Sequence, residues 1–155
     1  MGETVIQTSS LGKRIKGKTI LEDISFEINK GDCVALIGPN GAGKTVLMSC
    51  ILGDKKPSSG QVLIDGKAGK AKNKIAVLLQ ENTIPNSLKV EELIAFFQSI
   101  SDNPLTNQEV QELLQFKEDQ YQQFADKLSG GQRRLLAFVL CLIDKPKILF
   151  LDEPT

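Results

Sequence analysis

The sequence predicts an α/β fold. It has a mainly parallel sheet core, an N-terminal antiparallel β subdomain and an inserted α-helical subdomain. Three observations lead there. Two continuous apolar, β-rich runs, CVALIG at 33–38 and KILFLD at 147–152, read as buried parallel strands. The first run feeds a glycine-rich loop that opens a helix, a strand–loop–helix order typical of α/β proteins. Between residues 81 and 127 the apolar period changes to that of amphipathic helices with polar connections.

The elements follow in order. TILEDISFEIN (19–29) alternates at Ile20, Ile24, Phe26 and Ile28, as in a strand with one exposed face. Lys30-Gly31-Asp32 is a turn before the strand at 33–38. A helix is expected over about 43–52, a turn at 56–60 and a short strand at 61–65. KAGKAKNK (67–74) carries four lysines among small residues and reads as a solvated hairpin loop, with a partner contact as the alternative. IAVLLQ (75–80) is another buried strand. VEELIAFFQSI (90–100) places Leu93, Ile94, Phe97 and Ile100 on one helix face, and Ser101-Asp102-Asn103-Pro104 breaks it. NQEVQELLQF (107–116) repeats the pattern with Val110, Leu113 and Leu114. RRLLAFVLCLID (133–144) is a strongly apolar helix ended by Lys145-Pro146. The expected division is 1–80 for the β subdomain and loop core, 81–127 for the helical subdomain, and 128–155 for the last helix and strand.

Composition narrows the function. With 155 residues and 41% apolar content, the chain is one ordinary domain or most of one. Its formal net charge is zero, so no nucleic-acid partner is expected. The longest apolar stretch, 135–143, is far short of a membrane span, and MGETVIQTSS has no signal-peptide pattern. There is no histidine, and Cys33, Cys50 and Cys141 form no CxxC, which argues against zinc. All three cysteines lie in apolar runs and read as buried, reduced thiols of a cytoplasmic protein.

The chemistry is concentrated in three motifs. Gly38-Pro39-Asn40-Gly41-Ala42-Gly43-Lys44-Thr45 fits GxxxxGK[ST] in the strand–loop–helix context that a P-loop NTPase needs. Average residue frequencies put a chance match in such a chain at about one in a hundred or less. Glycines let backbone N–H groups turn inward around phosphate oxygens, and the helix N-terminus adds positive potential. Lys44 supplies a full charge to the β- and γ-phosphates, and Thr45 offers a hydroxyl to Mg²⁺. Asp152 and Glu153 close the last strand; Asp152 would hold Mg²⁺ and Glu153 would act as general base toward the attacking water. Leu128-Ser129-Gly130-Gly131-Gln132 places a good N-cap and exposed backbone N–H groups at a helix start, which alone is no more than a helix cap.

A P-loop, then LSGGQ, then LDEPT, in this order, resembles the ATP-binding subunit of an ABC transporter over nearly the whole chain. The resemblance implies ATP and Mg²⁺ as cofactors. It implies that Gln80 touches Mg²⁺ and the attacking water, and that residues 81–89 face a transmembrane permease subunit. It implies that Ser129, Gly130, Gly131 and Gln132 act in trans, capping the γ-phosphate held by a second ATP-binding subunit. The resulting expectation is ATP hydrolysis that powers transport, at the inner face of the cell membrane, with QRRL (132–135) leaning toward exporters. Where many relatives stack an aromatic ring on adenine, Ile15 stands here, so adenine selectivity should be weaker.

The resemblance also implies a D-loop and a strand ending in a switch histidine after LDEPT, but the sequence ends at Thr155 and has no histidine. The expectation is therefore a domain without its C-terminal strands, either a truncated product or part of a longer protein, poorly stable and almost without turnover by itself. Two alternatives stand beside the transporter reading. One is a soluble ABC ATPase acting on ribosomes or DNA, disfavoured by the short helical insert and single domain. The other is an inactive nucleotide-binding fragment.

Overall fold

The structure is a computed structural model that describes residues 2–68, 75–78 and 84–152. The chain forms two compact units, Met1–Lys72 and Asn73–Thr155.

The first unit is built on two long antiparallel strands, β1 (Thr4–Ile15) and β2 (Lys18–Asn29). Lys16 and Gly17 join them with φ of 49° and 78°. Two positive φ values make the tight turn whose twist suits a hairpin. Strand β3 (Ser59–Ile64) pairs with the other edge of β1, and β4 (Lys67–Ala68) pairs with β3, giving the order β2-β1-β3-β4. Ile20, Ile24, Phe26 and Ile28 are half-buried while Glu22, Ser25 and Glu27 are exposed, as the alternation predicts. Helix α1 (Lys44–Ile51) buries Leu47, Cys50 and Ile51. The sequence pattern assigns no strand to residues 4–15; its alternation is interrupted where bulges shift the register, beside Ser10 at φ 45°.

One expectation is overturned in this unit. Residues 33–38 form no strand, and Val34, Leu36 and Ile37 are 60%, 48% and 90% exposed. An apolar run becomes a buried strand only where a neighbour accepts its ladder bonds, and no described strand does so here. Cys33 is exposed for the same reason, whereas Cys50 is buried and Cys141 is partly buried. Burial pushes the thiols of Cys50 and Cys141 up from their ordinary value, against the pull of Lys13 and Lys55 on Cys50.

In the second unit, β5 (Ile75–Leu78) and β6 (Ile148–Leu151) form a parallel pair with Leu78 opposite Leu151. Strand β5, read with residues 1–80 in the sequence, belongs to this unit. It is the one parallel ladder among the described residues. Around it lie α2 (Val90–Ser99), α3 (Asn107–Leu114), α4 (Glu118–Tyr121), a 3₁₀ turn at Ala125–Lys127, and α5 (Gly130–Leu142). Helix α5 is the spine: it packs on β5, α2 and α3, and Leu136 and Val139 are fully buried. Leu93, Ile94, Val110 and Leu114 join this core. Ile100 and Leu113 do not; they are 66% and 42% exposed. Ile100 is the C-cap of α2, past its last full turn. Leu113 lies about 100° around α3 from Leu114, which together with Val110 covers the core.

The lysine-rich stretch expected as a hairpin loop begins in β4, entered from β3 through Asp65-Gly66, and residues 69–74 lie outside the described residues.

Candidate functional site

The P-loop, residues 38–45, enters α1 through two glycines in left-handed conformation, Gly41 at φ 82° and Gly43 at φ 94°, ψ 9°. Ala42 N donates to Pro39 O at 3.1 Å, and Leu47 N donates to Gly43 O at 2.8 Å. Gly43 is fixed twice over. Its φ disfavours a side chain, and an added Cβ would stand 3.0 Å from Leu21 Cδ2 and 3.2 Å from Ile20 O. No side chain caps the first turn of α1, so its N–H groups face the loop. Lys44 Nζ donates to Gly38 O at 2.6 Å and to Pro39 O at 3.0 Å, which lays the ammonium across the loop. Thr45, the second helical residue, is exposed, as is Asn40.

Backbone donors, a lysine and a hydroxyl fit a polyphosphate and a hard cation: such groups offer hydrogen bonds to phosphate and oxygen to Mg²⁺. Leu21 and Ile20, which close on Gly43, carry no motif that would mark them in the sequence. Ile15 ends β1 at the hairpin tip, opposite Lys18, and is 36% exposed.

In the second unit, Asp152 N donates to Leu78 O at 2.9 Å. The bond holds half-buried Asp152 at the carboxyl end of the parallel pair, the end at which ligands of parallel sheets bind. The strand that leads toward Gln80 ends beside the strand that leads toward Glu153. Gln80 and Glu153 themselves, like residues 81–83, lie outside the described residues.

The signature opens α5. Ser129 is its N-cap, with extended φ −62°, ψ 159°. Gln132 N donates to Ser129 Oγ at 3.3 Å, and Ser129 N donates to Gln132 Oε1 at 3.0 Å. This reciprocal capping box satisfies two donors of the helix start. Ser129, Gly130 and Gly131 are exposed, and among the described residues a Cβ on either glycine would meet nothing within 4 Å beyond its chain neighbours and the helix's own backbone. Leu128, 7% exposed, anchors the loop in the core. The helix begins at Gly130, three residues before the apolar run expected from the sequence.

One contact here has no local sequence signal. Arg133 Nη2 donates to Ile84 O at 3.1 Å and to Asn86 Oδ1. No helix described is long and apolar enough to cross a membrane.

Comparison with known proteins converges on one family. Residues 21–155 match the ABC transporter family. The spermidine/putrescine import ATP-binding protein PotA of Protochlamydia amoebophila is 36% identical over 153 residues, covering 93% of this chain and 41% of that protein. The methionine import ATP-binding protein MetN of Legionella pneumophila is 36% identical over 164 residues, covering 97% of this chain and 48% of that protein. A solved ATP-binding cassette of an ABC transporter, in its ADP conformation, superposes with a TM-score of 0.80 at 25% identity, covering 97% of this chain and 69% of the other. The chain spans less than half the length of these two curated relatives. Both names say import, so the lean toward exporters drawn from residues 132–135 finds no support.

Proposed function

The chain belongs to the ABC transporter family, and we propose that, within the complete protein, it binds ATP with Mg²⁺ and hydrolyses it to power transport across a membrane. The observation that carries this reading is the P-loop: two left-handed glycines, an uncapped helix start and Lys44 across the loop. The backbone of Gly38, Pro39, Asn40, Gly41, Ala42 and Gly43 would cradle phosphates. Lys44 would exchange its two carbonyl acceptors for phosphate oxygens, and Thr45, Asp152 and Gln80 would hold Mg²⁺. Glu153 would take the proton of the attacking water, assisted by Gln80.

The signature would act in trans. The open space at Gly130 and Gly131 supports this reading, since none of the described residues outside the helix's own backbone and the chain neighbours comes within 4 Å of where a Cβ would stand. The partners are then a second ATP-binding subunit and a transmembrane permease subunit, with the protein peripheral on the cytoplasmic face. Import is the favoured direction, from the names of relatives that serve different solutes. Ile15 would pack on adenine without ring stacking.

The test uses the full-length protein. Glu153→Gln should retain MgATP binding and stop phosphate release. Turnover of that variant at the unmodified rate would remove Glu153 as the base. Ile15→Tyr should raise the preference for ATP over GTP; an unchanged ratio would detach Ile15 from the base.

A further inference from the structure

We propose that Arg133 is a positioning residue that couples residues 84–89 to the signature loop, so that movement of one displaces the other. The inference rests on the ATP-binding reading above and adds to it a path between two surfaces.

Arg133 is the fourth residue of α5. A cation there stands against the helix dipole, which favours anions in the first turn. Its position is therefore explained by what it holds. Both acceptors lie on a segment 49 and 47 residues earlier, a main-chain carbonyl at Ile84 and a side-chain amide at Asn86. Both bonds leave one nitrogen, Nη2, whose two N–H groups lie in the fixed guanidinium plane. The two acceptors are thus held relative to each other as well as to the helix. Ile84 is also buried in the core that contains Leu136 of α5, so the segment is tied to α5 by side-chain packing and by hydrogen bonds.

The other end of the link is the signature. Arg133 N donates to Ser129 O at 2.9 Å, the main chain of the capping residue itself. The path is Asn86 and Ile84, Arg133, Ser129. Beyond it, Gly130 and Gly131 are open. The start of α5 is hence held from one side by the segment, and among the described residues nothing packs on its two glycines. If a partner pushes residues 84–89, the displacement reaches Ser129 through bonds of fixed direction. If a nucleotide of a second subunit engages Ser129, residues 84–89 feel it by the same path, since coupling is reciprocal.

The experiment is amide hydrogen exchange, with and without MgATP, on the full-length Glu153→Gln protein. Exchange should slow at 41–47, at 129–134 and at 84–90, the last by at least about fivefold, the low end of ordinary coupling. Adding Arg133→Gln should leave the first two changes in place and reduce the third to below about twofold. Asn86→Ala, which leaves α5 untouched, should reduce it as well, and Arg133→Lys should restore part of it. A purely structural role would raise exchange without nucleotide in α3 also, and would leave the nucleotide-dependent difference intact. Full protection at 84–90 in both Arg133→Gln and Asn86→Ala overturns the inference. So does protection at 41–47 and 129–134 with none at 84–90 in the starting protein. No protection at 41–47 overturns the ATP-binding reading, and this inference with it.

Discussion

Two glycine-rich loops each open a helix in this molecule, and they are built on opposite principles. The P-loop is shaped by its own chain. Gly43 stands at φ 94° against Leu21 and Ile20, no side chain caps α1, and Lys44 bonds to the loop's own carbonyls. The signature loop carries a reciprocal side-chain cap. Ser129 and Gln132 bond each other's backbone, the N-cap has ordinary extended angles, and among the described residues nothing outside the chain neighbours and the helix's own backbone comes within 4 Å of where a Cβ would go on Gly130 or Gly131. Glycine is required in the first loop by conformation and by neighbours. In the second, neither applies among the described residues. The contrast separates residues that make a loop from residues that leave it open.

The largest expected effect is at Lys44. Lys44→Ala removes one or two charge-assisted hydrogen bonds to phosphate at roughly 1.5–3 kcal/mol each, so MgATP affinity should fall on the order of 100-fold. Titration calorimetry on the full-length protein checks it, and unchanged affinity would refute the P-loop assignment. Next is Gly43→Ala. A side chain at φ 94° costs about 1–3 kcal/mol, and the close approach to Ile20 O adds to it. Urea unfolding should show this loss without nucleotide, and an equal midpoint in both proteins would mean the loop relaxes freely.

The signature responds more weakly, and with a change of sign. Ser129→Ala removes the cap of α5 and should cost about 1 kcal/mol. Gly131→Ala should be neutral or stabilise by up to about 1 kcal/mol, because alanine is the better helix former and has room. Under the proposed function the same variant should lose ATP turnover, since the added methyl occupies the open side. A stable Gly131→Ala protein that hydrolyses ATP at the unmodified rate would end the comparison between the two loops.

How much of this was legible in the sequence depends on distance along the chain. The P-loop, the N-cap Ser129 and the acidic strand end are local patterns, and the family match at residues 21–155 agrees with the resemblance they carry. The packing of α2 was legible through Leu93 and Ile94, whose spacing faces the core. Residues 33–38 misled because a β-rich apolar run states a capacity to pair and does not supply the neighbour. Strand β1 escaped notice because bulges break its alternation. Ile20 and Leu21 behind Gly43, and Arg133 on Ile84 and Asn86, are tertiary contacts between residues with no motif in common.

The smallest effect sharpens the comparison by chemistry at a single position. Helix α3 has the same reciprocal cap as α5, with Thr106 as N-cap and Glu109 where α5 has Gln132. Thr106 N donates to Glu109 Oε2 at 2.7 Å, and Glu109 N donates to Thr106 Oγ1 at 3.2 Å. The backbone bond from Thr106, then its hydroxyl, hold the Glu109 carboxyl below the usual carboxylate range. A lowered folded pKa means that the ionised form is favoured by folding. The contribution is present above the ordinary carboxylate value and is lost as pH falls through the lower, folded value. Gln132 has no proton to gain, so the signature cap should keep its bonds over the same pH range. Amide exchange at the start of α3 should therefore quicken on acidification relative to a Glu109→Gln protein, while the start of α5 shows no such dependence. Equal acid sensitivity at both helix starts would mean that the caps fail with the whole fold and that the choice of Gln132 is without consequence for pH.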